Sequence, residues 1–299
     1  MDVRFQNNSL SVSYQNKNFQ LHPIWLRERL PGEEFFDVDT HQRLYEPSSI
    51  DLDLQISSAA LSDHLLNIEF NDGVKGSYNM NDLLLEMDDE KNKRGPLPKR
   101  VLWNSSLSQF PEAKFEEGMA EKKSMYDLLI NFYKYGFVII KNVPTENKYL
   151  LKFVNSIGPV KNTNFGEYFD VMSKPNPNDL AYKPIALPPH TDNPYRKPTA
   201  PGIQFLHCLQ NEVSGGFSTL VDGFAVAEHM KTHDPEAFQS LTTTNLRYQF
   251  QDKDIVLENW GELIELDDDG DYKQVRYSTR VDYVPALDTE ERNTFYRSR

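Results

Sequence analysis

Cysteine is almost absent from this sequence. Cys208 is the one cysteine among 299 residues, so the chain cannot form an internal disulfide or a zinc site of several thiolates. A lone thiol inside an apolar run is typical of a packed interior. We therefore expect Cys208 to be buried.

Long hydrophobic runs and an export signal are also missing. The run FVII at 137–140 is among the longest and is far too short to cross a bilayer. The N-terminus, MDVRFQNNSLSV, lacks the charged-then-apolar pattern of an export signal. These absences predict a cytoplasmic protein without a membrane span.

Basic residues are outnumbered by acidic ones. The 32 Lys and Arg against 45 Asp and Glu give a net charge of -13, which argues against nucleic acid and anionic membranes as partners. Small molecules are the expected partners. A chain of 299 residues can bury a substantial core, in one large or two moderate domains.

Residues 1–95 are expected to form a small β-rich domain. The stretches SLSVSY, FQLHPIWL and LNIEFNDGVKGSYN alternate as strands do, and Asn71-Asp72-Gly73 within the last of them predicts a hairpin turn. The charged, proline-punctuated stretch at 83–100 is the expected linker to the next domain.

Residues 101–299 are expected to form the second domain. EKKSMYDLLINFYKYG predicts a helix that ends at Gly136, FVIIKNVP a buried strand, and NKYLLKFVNSIGPV a second helix. From residue 160 onward, short strands such as GIQFLHCL, STLVDGF, LRYQFQ and VRYSTRVDYV alternate with turns. This pattern predicts a mainly β fold with flanking helices, in which the second domain is a double-stranded β-helix, or jelly roll.

The stretch ALPPHTDNPY places His190 and Asp192 on either side of one threonine. Residues two apart in an extended segment point the same way, so this imidazole and this carboxylate can converge on one ion. Iron(II) oxygenases with a facial triad use two histidines and one carboxylate and leave three positions open. Such a pair also occurs in solvated turns, so its spacing alone leaves both interpretations open.

The longer block HTDNPYRKPTAPGIQFLHCLQNEVSGGFSTLVDGF at 190–224, together with NDLAY at 178–182, resembles the γ-butyrobetaine dioxygenase family. That family belongs to the 2-oxoglutarate-dependent oxygenases, a group that includes taurine dioxygenase. The N-terminal segment HPIWLRERLPGEEFFDVDTHQRLYEP is similar to part of the family's β-rich domain. The resemblance therefore covers most of the chain.

By this resemblance, His190 and Asp192 are the first iron ligands. Leu206 matches an apolar residue that packs against 2-oxoglutarate, and Ser218 matches a hydroxyl on a cosubstrate carboxylate. Asp179 stands where relatives often have Asn, so no cosubstrate hydrogen bond is assigned to it. The implied cofactor is Fe(II), the cosubstrate is 2-oxoglutarate, and dioxygen is the co-reactant.

The family's substrates carry a trimethylammonium group, which has no N–H to donate and is held by aromatic faces. The resemblance places the aromatic residues that contact it at Phe165, Phe169 and Tyr182. Asn193 and Tyr195 follow the iron motif and are expected to line the same pocket.

Two features of the family are missing from the sequence. Some relatives bind structural zinc through three cysteines after the WLR segment and a later histidine. Here that segment has no cysteine and the later position is Val74, so no zinc is expected. The distal iron histidine and the arginine that pairs with 2-oxoglutarate are expected beyond Arg299, which implies a C-terminally truncated chain. His229 and His233 lie in a stretch predicted to be a surface helix.

The resemblance implies hydroxylation of a small trimethylammonium compound, with γ-butyrobetaine to L-carnitine as the first expectation. A trimethylammonium phosphonate, trimethyllysine, or an unrelated substrate of the taurine dioxygenase group are the alternatives. A non-catalytic jelly roll that binds quaternary ammonium without iron is an alternative of another class. The oligomeric state stays open, with a homodimer among the alternatives.

Overall fold

The computed structural model of the protein describes residues 1–87, 97–173, 175, 182–183, 185–197, 202–212, 214–215 and 217–299. The chain divides into two compact units, Met1–Leu97 and Pro98–Arg299. Every helix among the described residues is too short or too polar to cross a membrane. The linker predicted at 83–100 lies partly outside the described residues.

The first unit contains two antiparallel sheets of three strands each, and in both sheets strands that follow one another in sequence are neighbours. The strands are β1 (Asp2–Gln6), β2 (Ser9–Tyr14), β3 (Lys17–Leu21), β4 (Ile56–Ser62), β5 (Leu65–Phe70) and β6 (Lys75–Asn79). The helical segments are α1 (Pro23–Arg27), a 3-10 turn (Pro47–Ser49) and α2 (Met80–Met87).

The hairpin predicted at Asn71-Asp72-Gly73 is confirmed. It joins β5 to β6 in antiparallel register, and Gly73 has a φ of 86°, which glycine adopts without strain. The strand predicted for FQLHPIWL is wrong in its second half, because α1 begins at Pro23. Proline has no N–H to lose in a first helical turn, and the side chain of His22 accepts the N–H of Ile24 at 3.2 Å.

One cluster of buried apolar side chains draws on both sheets and both helices of the first unit. Its fully buried members include Leu10, Leu26, Ile56, Leu66 and Met80. Alternate side chains of β2 and β5 enter this cluster, as expected for strands with one buried face. The unit therefore has a hydrophobic core of its own.

The second unit combines small sheets with helices. Its elements are β7 (Glu112–Lys114), α3 (Phe115–Ala120), α4 (Lys122–Tyr135), β8 (Ile139–Lys141), α5 (Tyr149–Ile157), α6 (Gly223–His233), α7 (Pro235–Thr243), β9 (Leu246–Asp252), β10 (Ile255–Gly261), β11 (Ile264–Leu266), β12 (Tyr272–Val275), β13 (Asp282–Tyr283) and α8 (Thr289–Ser298). The sheet order is β10-β9-β13 in one sheet and β11-β12 in another, while β7 pairs with β8 in parallel.

Both helices predicted near the start of this unit are confirmed. The first is α4, which ends at Gly136 with a φ of 75° and a hydrogen bond from its N–H to the carbonyl of Phe132. The second is α5, which stops at Gly158. The buried strand predicted between them is only the three-residue β8, and none of its side chains is fully buried.

The strands predicted at GIQFLHCL and STLVDGF are wrong. The described residues of 202–222 contain no strand, and the side chains of Leu206 and Phe217 are 74% and 88% exposed. Alternating apolar residues favour a strand, but a strand forms only where a neighbouring strand pairs with it. For the same reason Cys208 is exposed rather than buried.

Of the predicted mainly β fold with flanking helices, the structure shows several small sheets and the helices beside them. The jelly roll stays a prediction, because none of the sheets found in the described part of the chain has more than three strands. Two apolar clusters support the second unit. The larger one contains Leu246, Tyr248 and Phe250 of β9, together with Tyr195 of the loop that carries the candidate site.

Candidate functional site

His190 and Asp192 bring their side chains together. Nε2 of His190 lies 3.1 Å from Oδ1 of Asp192, and the two side chains are 23% and 38% exposed. Nδ1 of His190 lies 2.8 Å from the carbonyl oxygen of Pro188. Since a carbonyl oxygen can only accept, Nδ1 is the donor, and in the neutral ring the lone pair is on Nε2.

This geometry fits a shared cation. Two atoms that both carry lone pairs repel each other at such a distance unless a proton or a metal ion lies between them. Neighbouring ligands of an octahedral ion with bonds of about 2.1 Å are separated by about 3 Å, which matches the observed spacing. Within the part of the chain that the structure describes, no third His, Cys, Asp or Glu joins this pair in a metal-binding group.

Gln204 holds the other oxygen of the carboxylate. Its Nε2 donates to Oδ2 of Asp192 at 2.8 Å, so that Oδ1 is left to face His190. A hydrogen-bonded neighbour of this kind fixes the rotation of a metal-binding carboxylate and tunes its affinity.

The backbone of the pair is tied to a distant part of the chain. The N–H of Thr191 donates to the carbonyl of Tyr277 at 2.7 Å, and the hydroxyl of Thr191 accepts the N–H of Tyr277 at 2.8 Å. Asn193 then turns the chain with a φ of 52°, a conformation that asparagine tolerates better than most residues. These contacts fix the residue between the two candidate ligands.

Aromatic side chains form a cluster next to this loop. Phe165 lies 5.5 Å from Phe169 and 5.8 Å from Phe250, measured between ring centroids. Tyr195 stacks on Phe250 with centroids 5.1 Å apart, and its hydroxyl donates to Oδ1 of Asn193. Tyr195 and Phe250 are 5% and 8% exposed, whereas Phe169 is 44% exposed. The cluster is therefore closed at Phe250 and open to solvent at Phe169.

The remaining predicted site residues differ in how far they are buried. Tyr182 is 5% exposed, as an inward-facing ring would be. Leu206 and Ser218 are exposed and lie in segments without regular structure. Asp179 lies outside the described residues. The structure thus brings His190 next to Asp192 and Phe165 next to Phe169. It leaves the two predicted cosubstrate residues open to solvent.

The segment that holds Thr191 is itself supported by buried polar groups. The hydroxyl of Tyr248 donates to the carbonyl of Arg276 at 3.0 Å, and burial raises the pKa of Tyr248, so this phenol stays a donor. Arg276 pairs with Glu265. Burial raises the pKa of Glu265, but the hydrogen bond from Lys273 and the charge of Arg276 outweigh it and hold the pKa below its ordinary 4.5.

Sequence reasoning missed three residues that shape the site: Gln204, Phe250 and Asn259, whose side-chain amide donates to the carbonyls of Pro194 and Arg196. Gln204 is a lone amide in the apolar run GIQFLHCL, a signal that could have marked it as a polar contact. Phe250 alternates with Leu246 and Tyr248 along β9, which indicates a buried face but not what that face contacts. For Asn259, the sequence offers no signal.

Comparison with known proteins concerns this same part of the chain. The model of the family described as "Taurine catabolism dioxygenase TauD, TfdA family" matches residues 105–297, which is more than half of the chain. The match includes every candidate site residue named above.

Curated relatives are similar over a longer range. The chain is 31% identical to trimethyllysine dioxygenase, mitochondrial, of Bos taurus, over 84% of this chain and 58% of the relative. It is 29% identical to gamma-butyrobetaine dioxygenase of Pseudomonas sp. (strain AK-1), over 92% of this chain and 72% of the relative. For gamma-butyrobetaine dioxygenase of Homo sapiens the identity is 26%, over 96% and 76%. The chain thus spans little more than half the length of the bovine relative.

Proposed function

The chain belongs to the TauD/TfdA family of taurine catabolism dioxygenases, and on that premise we propose that it hydroxylates a small trimethylammonium compound with Fe(II) and 2-oxoglutarate. Enzymes of this family depend on Fe(II) and 2-oxoglutarate. The observation that carries the proposal is the convergence of His190 and Asp192 in a loop whose Tyr195 packs into an aromatic cluster.

His190 and Asp192 would hold the iron through Nε2 and Oδ1. They fit two of the three protein positions of a facial triad, and the described residues do not supply the third. When bound, Fe(II) with 2-oxoglutarate and dioxygen supplies the oxidising power needed to hydroxylate an unactivated C–H bond.

The chain's own residues position these ligands. The carbonyl of Pro188 fixes the tautomer of His190, so that Nε2 keeps its lone pair toward the site. Gln204 fixes the rotation of the Asp192 carboxylate from the opposite side. The bonds between Thr191 and Tyr277 hold the backbone between the two ligands. Such positioning is what the protein contributes when the cofactor carries the chemistry.

The aromatic cluster would bind the cationic end of the substrate. A trimethylammonium group cannot donate a hydrogen bond, and the faces of Phe165, Phe169 and Tyr182 can attract its charge and exclude water. The exposed edge at Phe169 is the natural entrance, because Phe250 and Tyr195 close the other end of the cluster. Asn193 and Tyr195 would line the pocket between the cluster and the iron ligands.

We place γ-butyrobetaine first as substrate, with L-carnitine as product. Its support is the longer alignment with the gamma-butyrobetaine dioxygenases, which covers more of both chains than the alignment with the bovine trimethyllysine dioxygenase. Trimethyllysine and a trimethylammonium phosphonate are the alternative substrates. We also propose the domain arrangement expected from the sequence, a β-rich domain at 1–95 followed by a jelly roll at 101–299.

The test is a coupled assay with Fe(II), 2-oxoglutarate and the purified protein of the whole gene, so that any ligand outside residues 1–299 is included. Succinate and hydroxylated product should form in equal amounts with one of the three candidate substrates, and His190→Ala should abolish both. One observation favours a second candidate, a non-catalytic quaternary-ammonium-binding protein: the described residues supply two rather than three ligands. Binding of γ-butyrobetaine without any 2-oxoglutarate turnover would establish that alternative and refute the enzyme.

A further inference from the structure

The hairpin of β9 and β10 presents one face to the loop that carries the candidate site. Tyr248 pairs across the hairpin with Asn259, and Phe250 pairs with Leu257, so these four side chains share a face. Phe250 stacks on Tyr195, and Tyr248 bonds the carbonyl of Arg276. This face therefore contacts both the loop and the segment that anchors it.

Asn259 makes the polar contacts of that face with the loop. It is 2% exposed, and its Nδ2 donates to the carbonyls of Pro194 at 3.1 Å and of Arg196 at 2.9 Å. These two carbonyls lie immediately before and after Tyr195. One side-chain amide thus uses both of its hydrogens to fix the backbone on the two sides of the stacked tyrosine.

The loop residues beside these two contacts also bond to residues next to the aromatic cluster and next to the candidate iron ligands. The guanidinium of Arg196 donates to Oδ1 of Asn164, the residue before Phe165. Tyr195 in turn donates to Asn193, the residue after Asp192. A displacement of the backbone at Pro194 or Arg196 would therefore move an aromatic residue on one side and a candidate iron ligand on the other.

We propose that Asn259 is a positioning residue of the candidate site: its amide holds the loop so that Tyr195 stays stacked on Phe250 and the His190–Asp192 pair keeps its geometry. This inference rests on the proposed function for its consequence in substrate binding. The position requires a side chain of this shape with two N–H donors.

Substitution at Asn259 separates shape from hydrogen bonding. Asn259→Asp keeps the shape but, when ionised, turns two acceptor oxygens toward two carbonyls. Asn259→Leu removes the polar group altogether, and Asn259→Ser keeps one donor on a shorter side chain as an intermediate case. Leu241→Ala, in the core of the same unit and 3% exposed in the native protein, is the control for general loss of stability.

Hydrogen exchange of the peptide covering residues 186–197 is the first measurement. Asn259→Asp and Asn259→Leu should speed exchange there by about tenfold, Asn259→Ser by less, and Leu241→Ala should leave it unchanged under native conditions. Relative to wild type at the same pH, exchange in Asn259→Asp should slow as pH falls, because protonation of the introduced carboxyl restores one donor. A purely structural loss of packing would show no such pH dependence.

Ligand binding is the second measurement, with γ-butyrobetaine and 5,5-dimethylhexanoate, its isostere with carbon in place of the ammonium nitrogen, as probes. The preference for the cation should fall by about tenfold in Asn259→Leu and persist in Leu241→Ala. Unchanged exchange at 186–197 in all three variants of Asn259, or the same changes in Leu241→Ala, would overturn the inference. If the wild-type protein did not discriminate between the probes, the proposed binding of the cation by the aromatic cluster would fail, and the exchange data would still decide the role of Asn259.

Discussion

Tyr195 stacks on Phe250 with ring centroids 5.1 Å apart and an interplanar angle of 25°. This contact joins the loop of the candidate iron ligands to a strand that follows much later in the sequence. It also continues the aromatic cluster of Phe165 and Phe169 toward the loop. The loop of the candidate site therefore packs against β9, a strand that lies outside the sequence motif of the site.

Gln204 should control metal affinity through Asp192. Gln204→Leu leaves Oδ2 of Asp192 without its donor, and we expect the affinity for Co(II), used as a stable substitute for Fe(II), to fall by about tenfold. Isothermal titration calorimetry measures it, with His190→Ala to define binding outside the site. Gln249→Leu, which removes an exposed amide bonded to Glu258, is the matched control and should change nothing. Equal affinities in the Gln204 variant and wild type would contradict the role given to this amide.

Phe169 should discriminate a cation from a neutral ligand of the same shape. Because its ring is 44% exposed, Phe169→Ala should leave stability nearly unchanged while weakening γ-butyrobetaine binding by about 0.5–2 kcal/mol. Tyr182→Ala should weaken binding too, with a loss of stability because Tyr182 is buried. Phe110→Ala, at another exposed phenylalanine of the same unit, is the control. Equal losses for γ-butyrobetaine and its carbon isostere would show that the cluster is only hydrophobic.

Glu265 should make the second unit sensitive to acid. Its folded pKa lies below the ordinary 4.5, so the stability it contributes is present above 4.5 and is lost as pH falls through the folded pKa. Glu265→Gln leaves the charge of Arg276 buried and unpaired, which should cost about 3 kcal/mol at neutral pH and progressively less as the pH falls below 4.5. Urea unfolding at both pH values measures the difference.

Glu258→Gln is the control for that experiment, because Glu258 faces solvent on β10 and its pair with Arg247 is partly exposed. Its effect should stay within about 1 kcal/mol at either pH. A loss in Glu265→Gln that did not shrink in acid would show that shape, rather than charge, explains the effect.

Arg27 should stabilise the first unit through its contacts with two aromatic rings and a carboxylate. Its guanidinium lies 4.7 Å from the ring centre of Phe35 and 5.7 Å from that of Tyr45, and its Nε is 3.6 Å from Asp72. Arg27→Met should lower the free energy of unfolding by about 1–3 kcal/mol, whereas Arg4→Met, at an exposed arginine, should have little effect.

The first unit should be stable without a bound metal. Because no closed set of thiolate or imidazole ligands can be assembled from residues 20–75, EDTA should leave the unfolding of the first unit unchanged. Release of one equivalent of zinc together with a lowered melting temperature would contradict it.

The sequence determined the local features of this protein. His190 and Asp192 are close because only one residue separates them in sequence, although distant partners fix the orientation of the pair. The turn at Gly73 and the end of α4 at Gly136 follow from the conformations open to glycine. Phe165 and Phe169 are close enough in sequence for their rings to meet within one short loop.

The tertiary structure decided everything that depends on a distant partner. An alternating pattern at 203–209 favoured a strand and a buried Cys208, but none of the described strands pairs with this segment, which is irregular, and the thiol is exposed. Phe250, Asn259 and Gln204 reach the site only because β9, β10 and the chain at 204 are brought against the loop. The local pattern determines which way a side chain points. Which residue that side chain contacts depends on the packing of the whole unit, and a short segment does not hold that information.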